Sequence, residues 1–153
     1  MDPVTVSVRV ARPREEVFDF IDVLANHESY LDHMFDKWTF SGPARGVGAR
    51  ARARVHAPGS NEIAEFEVVE SERPTRTVEA GVSAGGRRRT RGTYTLTELP
   101  GGGTEISFEL SWEQAPRLER LIPALNRAFL RRALGKGMKR LAKQLDEGAR
   151  LAA

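Results

Sequence analysis

Two side chains that can donate and accept protons lie close together in the first quarter of the chain. Tyr30 and His33 are three positions apart, a spacing that places both on one face of a helix. Together they can offer a proton donor and a proton acceptor to a bound compound. We therefore take His33 and Tyr30 as the candidate catalytic residues, with His56 as a second histidine candidate.

The remaining reactive groups match no established catalytic or metal-binding motif. His27, Asp32, His33 and Asp36 cluster in sequence but lack a known ligand spacing, so no metal site is expected. The sequence has no cysteine, which excludes disulfides and thiolate chemistry. It also lacks the phosphate-binding loop and the Gly-x-Ser-x-Gly motif of serine hydrolases. We expect no cofactor.

Aromatic side chains give a stronger indication of a binding site. Amphipathic rings suit a mostly apolar ligand that carries a few oxygen atoms. The residues predicted to line a ligand cavity are Trp38, Phe40, Phe66, Tyr94, Phe108, Trp112 and Phe129.

The elements that must position these residues begin with a strand and two short helices. Valines alternate with polar residues from Val4 to Val10, which predicts a half-buried strand. Pro13 opens a first helix, with acidic residues in its first turn. A second short helix is predicted from His27 to Met34, with Asn26 as its cap.

Two strands follow, and the second is unusual. Phe35 to Ser41 is predicted as a strand with Phe35 and Trp38 on opposite faces. In the next strand Ala49, Ala51 and Ala53 alternate with arginines, and the alanines must face inward because buried unpaired arginines would cost far more. Small inward residues leave room, so we predict a cavity at this strand unless large side chains opposite fill it.

The rest of the chain predicts an antiparallel meander closed by one long helix. Turn signals recur every ten to twelve residues, and one of these strands is recognised by Val78, Ala80 and Val82. Helical spacing runs from about Leu118 to Leu145, and Pro123 should bend or restart this helix. Its predicted apolar face comprises Leu118, Leu121, Ile122, Leu125, Phe129, Leu134, Met138, Leu141 and Leu145.

Positive charge is concentrated in two places. Residues 117–150 contain ten Lys and Arg against three Asp and Glu, and residues 87–91 contain four arginines. Either region could favour an acidic partner, anionic lipid or nucleic acid. No aromatic residues interleave with the arginine run, so nucleic-acid binding is not favoured. Solvated surfaces are the preferred interpretation of both regions.

Length and hydropathy indicate one domain over residues 1–153. No apolar run approaches the roughly 18 residues of a membrane span, and the N-terminus has no signal-peptide pattern. We therefore expect a cytoplasmic protein. A homodimer is left open.

Taken together, these segments resemble the START-like, or Bet v 1-like, helix-grip superfamily (SRPBCC), in its bacterial polyketide cyclase/dehydrase and lipid-transport branch. The resemblance spans the whole chain. It rests on residues 11–18 after the opening strand, Gly46-Val47-Gly48, residues 69–74, residues 94–96 followed by 103–106, and the long closing helix. It implies an α+β fold with a curved antiparallel sheet of about seven strands around a long C-terminal helix and two short helices after strand 1.

The resemblance implies a ligand held between sheet and closing helix. The leading hypothesis is a binding or transport protein for a hydrophobic small molecule such as a lipid, isoprenoid or polyketide. The alternative is a polyketide cyclase or dehydratase that uses His33 and Tyr30. The resemblance implies that an arginine stabilises an enolate in such cyclases, and the outward alternation of Arg50, Arg52 and Arg54 weakens this alternative. A third hypothesis is an interaction protein that uses its basic helix or hairpin.

Overall fold

The computed structural model describes residues 1–152, with side chains described for residues 1–148. It contains seven strands and four α-helices, with short 3-10 turns at Leu24–His27 and Ala84–Gly86. In chain order the elements are β1 (Val4–Val10), α1 (Arg14–Ile21), α2 (Glu28–Leu31), β2 (Phe35–Ser41), β3 (Arg50–Val55), β4 (Ile63–Glu72), β5 (Arg76–Ser83), β6 (Arg88–Glu98), β7 (Thr104–Gln114), α3 (Arg117–Leu121) and α4 (Pro123–Ala152).

All seven strands form one antiparallel sheet in the order β1-β7-β6-β5-β4-β3-β2. Strands β2 to β7 form a meander, and β1 adds to its end by pairing with β7. This curved sheet with its long closing helix is the predicted α+β helix-grip fold, which is confirmed. Strand β5 lies at the centre of the sheet.

The main core joins the sheet to α1, α2 and the second half of α4. Phe18, Tyr30, Tyr94 and Ile106 are almost completely buried in it. From α4 it receives the predicted apolar residues Leu134, Met138, Leu141 and Leu145. Helix α4 also packs against β1 and α2, which fixes one wall of the interior.

The alanine face of β3 is buried as predicted, but it does not form the cavity. Ala49 and Ala51 pack in a second cluster with Leu24, and Trp38 and Phe66 cover it. Large side chains opposite therefore fill the space that the alanines leave. The arginines of β3 point outward, as expected, and pair with carboxylates on neighbouring strands.

Two local predictions in the first third of the chain were wrong. Phe35 and Trp38 lie on the same side, with ring centroids 5.8 Å apart, because Lys37 has a φ of 51° and the register with β3 shifts there. Such a bulge adds one residue to a strand and reverses its alternation. Asn26 does not cap α2, since its side-chain amide donates to the Phe20 carbonyl at 2.9 Å.

The closing helix is interrupted where Pro123 predicted a break. Ile122 has φ −128° and ψ 54°, and α4 restarts at Pro123. The first five residues of the predicted apolar face, Leu118 to Phe129, are exposed instead of buried. Within the described residues, no helix has the length and apolar character needed to cross a bilayer.

Candidate functional site

A cavity of about 510 Å³ lies between the sheet and the closing helices. Most of its walls are apolar, with contributions from Leu24, Met34, Val55, Leu110, Leu130 and Met138. Six of the seven predicted aromatic residues line it: Trp38, Phe66, Tyr94, Phe108, Trp112 and Phe129. The exposed members of the lining, His56, Ala57, Phe129 and Lys136, mark its rim.

Phe40 is the exception among the predicted aromatic residues. Its side chain is exposed and stacks on Trp38, with ring centroids 6.0 Å apart. It is not part of the cavity lining. Phe40 therefore covers the outer side of a cavity residue and could reach a ligand only through Trp38.

Two glycines on the inner face of the sheet make room for aromatic rings. A Cβ on Gly92 would lie 2.9 Å from the Phe108 ring. A Cβ on Gly81 would lie 2.5 Å from Thr90 Oγ1 and 3.5 Å from the Phe66 ring. Both rings thus occupy the space that a side chain on the neighbouring strand would fill.

The floor of the cavity carries a polar cluster of Glu79, whose side chain is 12% exposed, with the buried residues His27, Tyr30 and Tyr94. His27 Nε2 is 2.7 Å from the Ile21 carbonyl oxygen, so Nε2 carries a proton and donates it. His27 Nδ1 then faces Glu79 Oε2 at 3.8 Å. The Tyr30 and Tyr94 hydroxyls are 3.0 Å apart and hydrogen-bond to each other.

Glu79 is the free group of this cluster. Its carboxyl accepts or donates no hydrogen bond among the described side chains, and its facing partner His27 is too far away for one. Burial raises the pKa of Glu79, and the nearby His27 opposes part of that rise. A carboxyl of this kind can donate a hydrogen bond when protonated and accept one, or a proton, when ionised.

Both tyrosine hydroxyls stay protonated around neutral pH. Burial is the main cause that raises the pKa of Tyr30 and of Tyr94, and the Glu79 charge adds to it. Since one hydroxyl donates to the other, one proton of the pair remains free to bind a ligand oxygen. Tyr30, a predicted catalytic residue, is therefore hydrogen-bonded to Tyr94, a predicted lining residue.

His33 is brought to the cavity wall, but both of its ring nitrogens are engaged. Nε2 donates to the Ala133 carbonyl of α4 at 2.8 Å, and Nδ1 accepts from Arg140 at 3.2 Å. Arg140 also pairs with Asp32. The imidazole thus joins the end of α2 to α4, and its nitrogens are not free for acid–base chemistry in this arrangement.

His56, the second histidine candidate, lies at the rim. Its Nδ1 donates to Asp36 Oδ2 at 2.9 Å, and Arg54 contacts the same carboxylate with two bonds of 2.7 Å. The Arg54 hydrogen bonds are the main cause that holds the pKa of Asp36 well below its usual range, followed by His56. His27, His33 and Asp36, which are close together in the sequence, therefore lie in three separate environments.

An arginine network in the cavity lining ties β6 to α3. Arg88 Nη1 donates to Glu62 at 2.9 Å and to Ser83 at 2.8 Å, and its other nitrogens contact Glu119. Arg91 pairs with Glu113. Two of the four arginines in the 87–91 run are thus neutralised, which weakens the hypothesis that this hairpin binds phosphates.

Sequence reasoning missed Glu79 and gave His27 no role in the cavity. Val78, Ala80 and Val82 identify the strand in the sequence, but of these only Val82 lines the cavity, together with Glu79, Gly81 and Ser83. A glycine inside a strand indicates close approach of another group, so Gly81 and Gly92 were available signals. A glutamate two residues before such a glycine lies on the same face.

Comparisons with known proteins agree with the fold. Residues 1–147 match the sequence model of the family described as polyketide cyclase / dehydrase and lipid transport. The chain is similar to the crystal structure of TTHA0849 from Thermus thermophilus (TM-score 0.73, 19% identity, covering 94% of this chain and 97% of that one). It is also similar to MLL2253 from Mesorhizobium loti (TM-score 0.69, 20% identity, covering 95% and 98%).

A further similar structure is DynU16, from the dynemicin biosynthetic locus, with a TM-score of 0.67 and 22% identity. The match covers 97% of this chain and 48% of that one. No curated protein matches this sequence significantly. Since the family match spans nearly all residues and the fold agrees, the chain belongs to the polyketide cyclase / dehydrase and lipid transport family.

Proposed function

We propose that the cavity binds a mostly hydrophobic small molecule that carries an oxygen function at one end, of the lipid, isoprenoid or polyketide class. The observation that carries this proposal is the apolar cavity of about 510 Å³ whose floor is the Glu79–His27 and Tyr30–Tyr94 cluster. Binding pockets for small molecules usually measure about 300–1,000 Å³ and combine apolar walls with a few polar groups.

The polar floor supports an oxygenated ligand over a plain hydrocarbon. A ligand that covers Glu79 without a hydrogen bond would leave a buried polar group unpaired, at a cost of about 1–3 kcal/mol. A hydroxyl or carbonyl placed between Glu79 and the tyrosine pair removes that cost. We therefore expect the protein to bind an oxygenated compound more tightly than an analogue that lacks the oxygen.

Native mass spectrometry of protein purified from its own host tests the proposal first. A co-purifying lipid, isoprenoid or polyketide, identified after extraction, is the expected result.

A second test uses fluorescence. Trp38 and Trp112 both line the cavity, so their fluorescence reports binding of added compounds. We expect 1-hydroxyanthraquinone to quench this fluorescence at lower concentration than anthracene, which has a similar ring system without oxygen. Quenching by both compounds at the same concentration, or by neither compound, would contradict the proposal.

A second candidate function is a cyclase or dehydratase reaction on the bound ligand. The specific observation in its favour is the free carboxyl of Glu79, held with His27 in a largely apolar cavity. Glu79 could accept a proton from a carbon next to a ligand carbonyl, and Tyr30 or Tyr94 could hydrogen-bond to the oxygen that gains charge. His33 would support the site by positioning α2.

The two candidate functions differ in what Glu79→Gln should change. An amide still hydrogen-bonds but cannot accept a proton, so an enzyme would lose turnover of the extracted ligand while retaining binding. A carrier protein would show no turnover in either form. Conversion of the ligand by wild type and Glu79→Gln at equal rates would contradict the enzymatic role of Glu79.

A further inference from the structure

We propose that α3 and the first turns of α4 dock the protein onto the surface of an anionic lipid bilayer. Five apolar residues of this segment form what we call the apolar stripe: Leu118, Leu121, Ile122, Leu125 and Phe129. Each of these residues is between 51% and 76% exposed. Contiguous exposed apolar groups of this size are uncommon on a protein surface and mark an interaction site.

The stripe keeps helical spacing within each of the two helices, with Ile122 at the break between them. Its members follow at intervals of three, one, three and four residues, and Leu125 and Phe129 are neighbours on α4. The interruption at Ile122 bends the segment but leaves all five side chains in solvent. The sequence pattern of a buried helix face is therefore present without a covering element among the described residues.

The charges beside the stripe are positive and unneutralised. Arg117, Arg120, Arg131 and Arg132 are exposed, and no described carboxylate pairs with them. Glu119, the one acidic residue between positions 117 and 145, is occupied by Arg88. Basic and apolar residues on the same exposed helix are the pattern of helices that lie in a membrane interface.

The position of the stripe connects docking to the cavity. Phe129 belongs to the stripe and also lines the cavity, as do Glu119, Asn126 and Leu130 of the same segment. Exposed Phe129 lies at the rim, so a bilayer in contact with the stripe would face the cavity entrance. A hydrophobic compound could then pass between lipid and cavity without crossing bulk water.

Charge complementarity favours a bilayer over the other partners of such a surface. In a symmetric dimer the same patch meets itself, and the arginines of two copies would face each other at an energetic cost. Nucleic acid would neutralise the arginines but leave four aliphatic side chains without apolar partners. An anionic membrane surface offers both phosphate groups and acyl chains.

The test is flotation of the purified full chain with two kinds of vesicles, phosphatidylcholine alone and phosphatidylcholine with phosphatidylglycerol. We expect binding to the anionic vesicles that weakens as salt increases. The double variants Leu121→Ser/Leu125→Ser and Arg131→Glu/Arg132→Glu should each reduce the affinity about tenfold or more. These side chains are exposed, so circular dichroism should show both variants folded.

Two variants elsewhere on the surface serve as matched controls. Val47→Ser removes an apolar side chain that is 61% exposed in a loop between β2 and β3, and Arg52→Glu reverses an exposed charge on β3. Both should bind vesicles like wild type. Absence of binding to anionic vesicles, or equal losses in the controls, would overturn the proposal.

Two further results would also overturn it. One is a dimer in sedimentation velocity that the leucine variant disperses, without vesicle binding, since the stripe would then join two copies. The other is binding of RNA, lost only in the arginine variant, without vesicle binding. The vesicle assay uses protein without cavity ligand, so absence of vesicle binding would not contradict the proposed function. Likewise, absence of cavity-ligand binding would not change the result of the vesicle assay.

Discussion

Glu79 is the residue whose ionisation has the clearest consequence for the pH dependence of stability. Its buried carboxyl faces His27, Tyr30 and Tyr94, and burial raises its pKa above that of the unfolded chain, about 4.3. The folded protein therefore holds this proton more tightly than the unfolded chain does. Stability from this group is intact below about pH 4.3 and is lost as pH rises through the raised pKa of the folded state.

Glu79→Gln should remove this pH dependence because the amide stays neutral. The free energy of unfolding of the variant relative to wild type should increase from about pH 4 upward and level off above the folded pKa of Glu79. Urea unfolding at a series of pH values measures this difference. Glu109→Gln, which removes an exposed carboxyl of β7, is the matched control. If the difference in free energy of unfolding from wild type depended on pH to the same extent in both variants, the pH dependence could not be assigned to Glu79.

The hydrogen bond between Tyr30 and Tyr94 leads to a second prediction about individual residues. Tyr30→Phe or Tyr94→Phe leaves the other buried hydroxyl without its 3.0 Å partner, so each should cost about 1–3 kcal/mol. The double variant leaves no unpaired hydroxyl and should cost less than the sum of the two. A double-mutant cycle of chemical denaturation measures this coupling. Strictly additive losses would mean that the hydroxyls do not stabilise each other.

At the scale of elements, the contact between α2 and α4 depends on one of two neighbouring glycines. A Cβ on Gly137 would lie 3.0 Å from Leu31 Cδ2 and 3.1 Å from the Tyr30 carbonyl, whereas nothing lies within 4 Å of a Cβ on Gly135. The close approach at Gly137 positions Tyr30 in the cavity floor.

Gly135→Ala should therefore stabilise the protein by about 1 kcal/mol through helix propensity alone. Gly137→Ala gains the same propensity but must displace α2, so we expect it to be less stable than Gly135→Ala by about 1–2 kcal/mol. It should also weaken binding of 1-hydroxyanthraquinone, which Gly135→Ala should not. Thermal unfolding and tryptophan fluorescence measure both effects. Equal stabilisation by the two substitutions would show that α2 yields without cost.

The elements themselves were largely predictable because each has a strong local signal. Alternation placed the alanines of β3 inward, and Pro123 marked the break between α3 and α4. The bulge at Lys37 had no such signal, so the face of Trp38 was assigned wrongly relative to Phe35. The site was less predictable, because periodicity indicates which residues share a face but not what lies opposite that face. Glu79 faces a cavity, and the apolar stripe on α3 and α4 faces solvent.

At the scale of the whole molecule, the fold encloses volume that an ordinary core would fill. Close-packed interiors hold few voids larger than a water molecule, whereas about 510 Å³ lies open between the sheet and α4. The α4 residues that pack only in the core, Leu141 and Leu145, come after Leu134 and Met138, which are buried and also line the cavity. Burial along α4 is therefore divided between a core half and a cavity half.

This division predicts that a larger side chain in the cavity lining lowers ligand affinity without lowering the free energy of unfolding. Ala133→Leu places three more carbon atoms at a lining position of α4, where apolar contacts should leave the free energy of unfolding unchanged or raise it. The same atoms take up ligand space, so affinity for 1-hydroxyanthraquinone should fall about tenfold or more. Ala124→Leu makes the same change at an exposed α4 position outside the lining and should leave binding unaltered. Titration of tryptophan fluorescence alongside urea unfolding measures both quantities. If Ala133→Leu bound the probe as wild type does, the probe would lie outside this cavity, because a filled site cannot hold it with the same contacts.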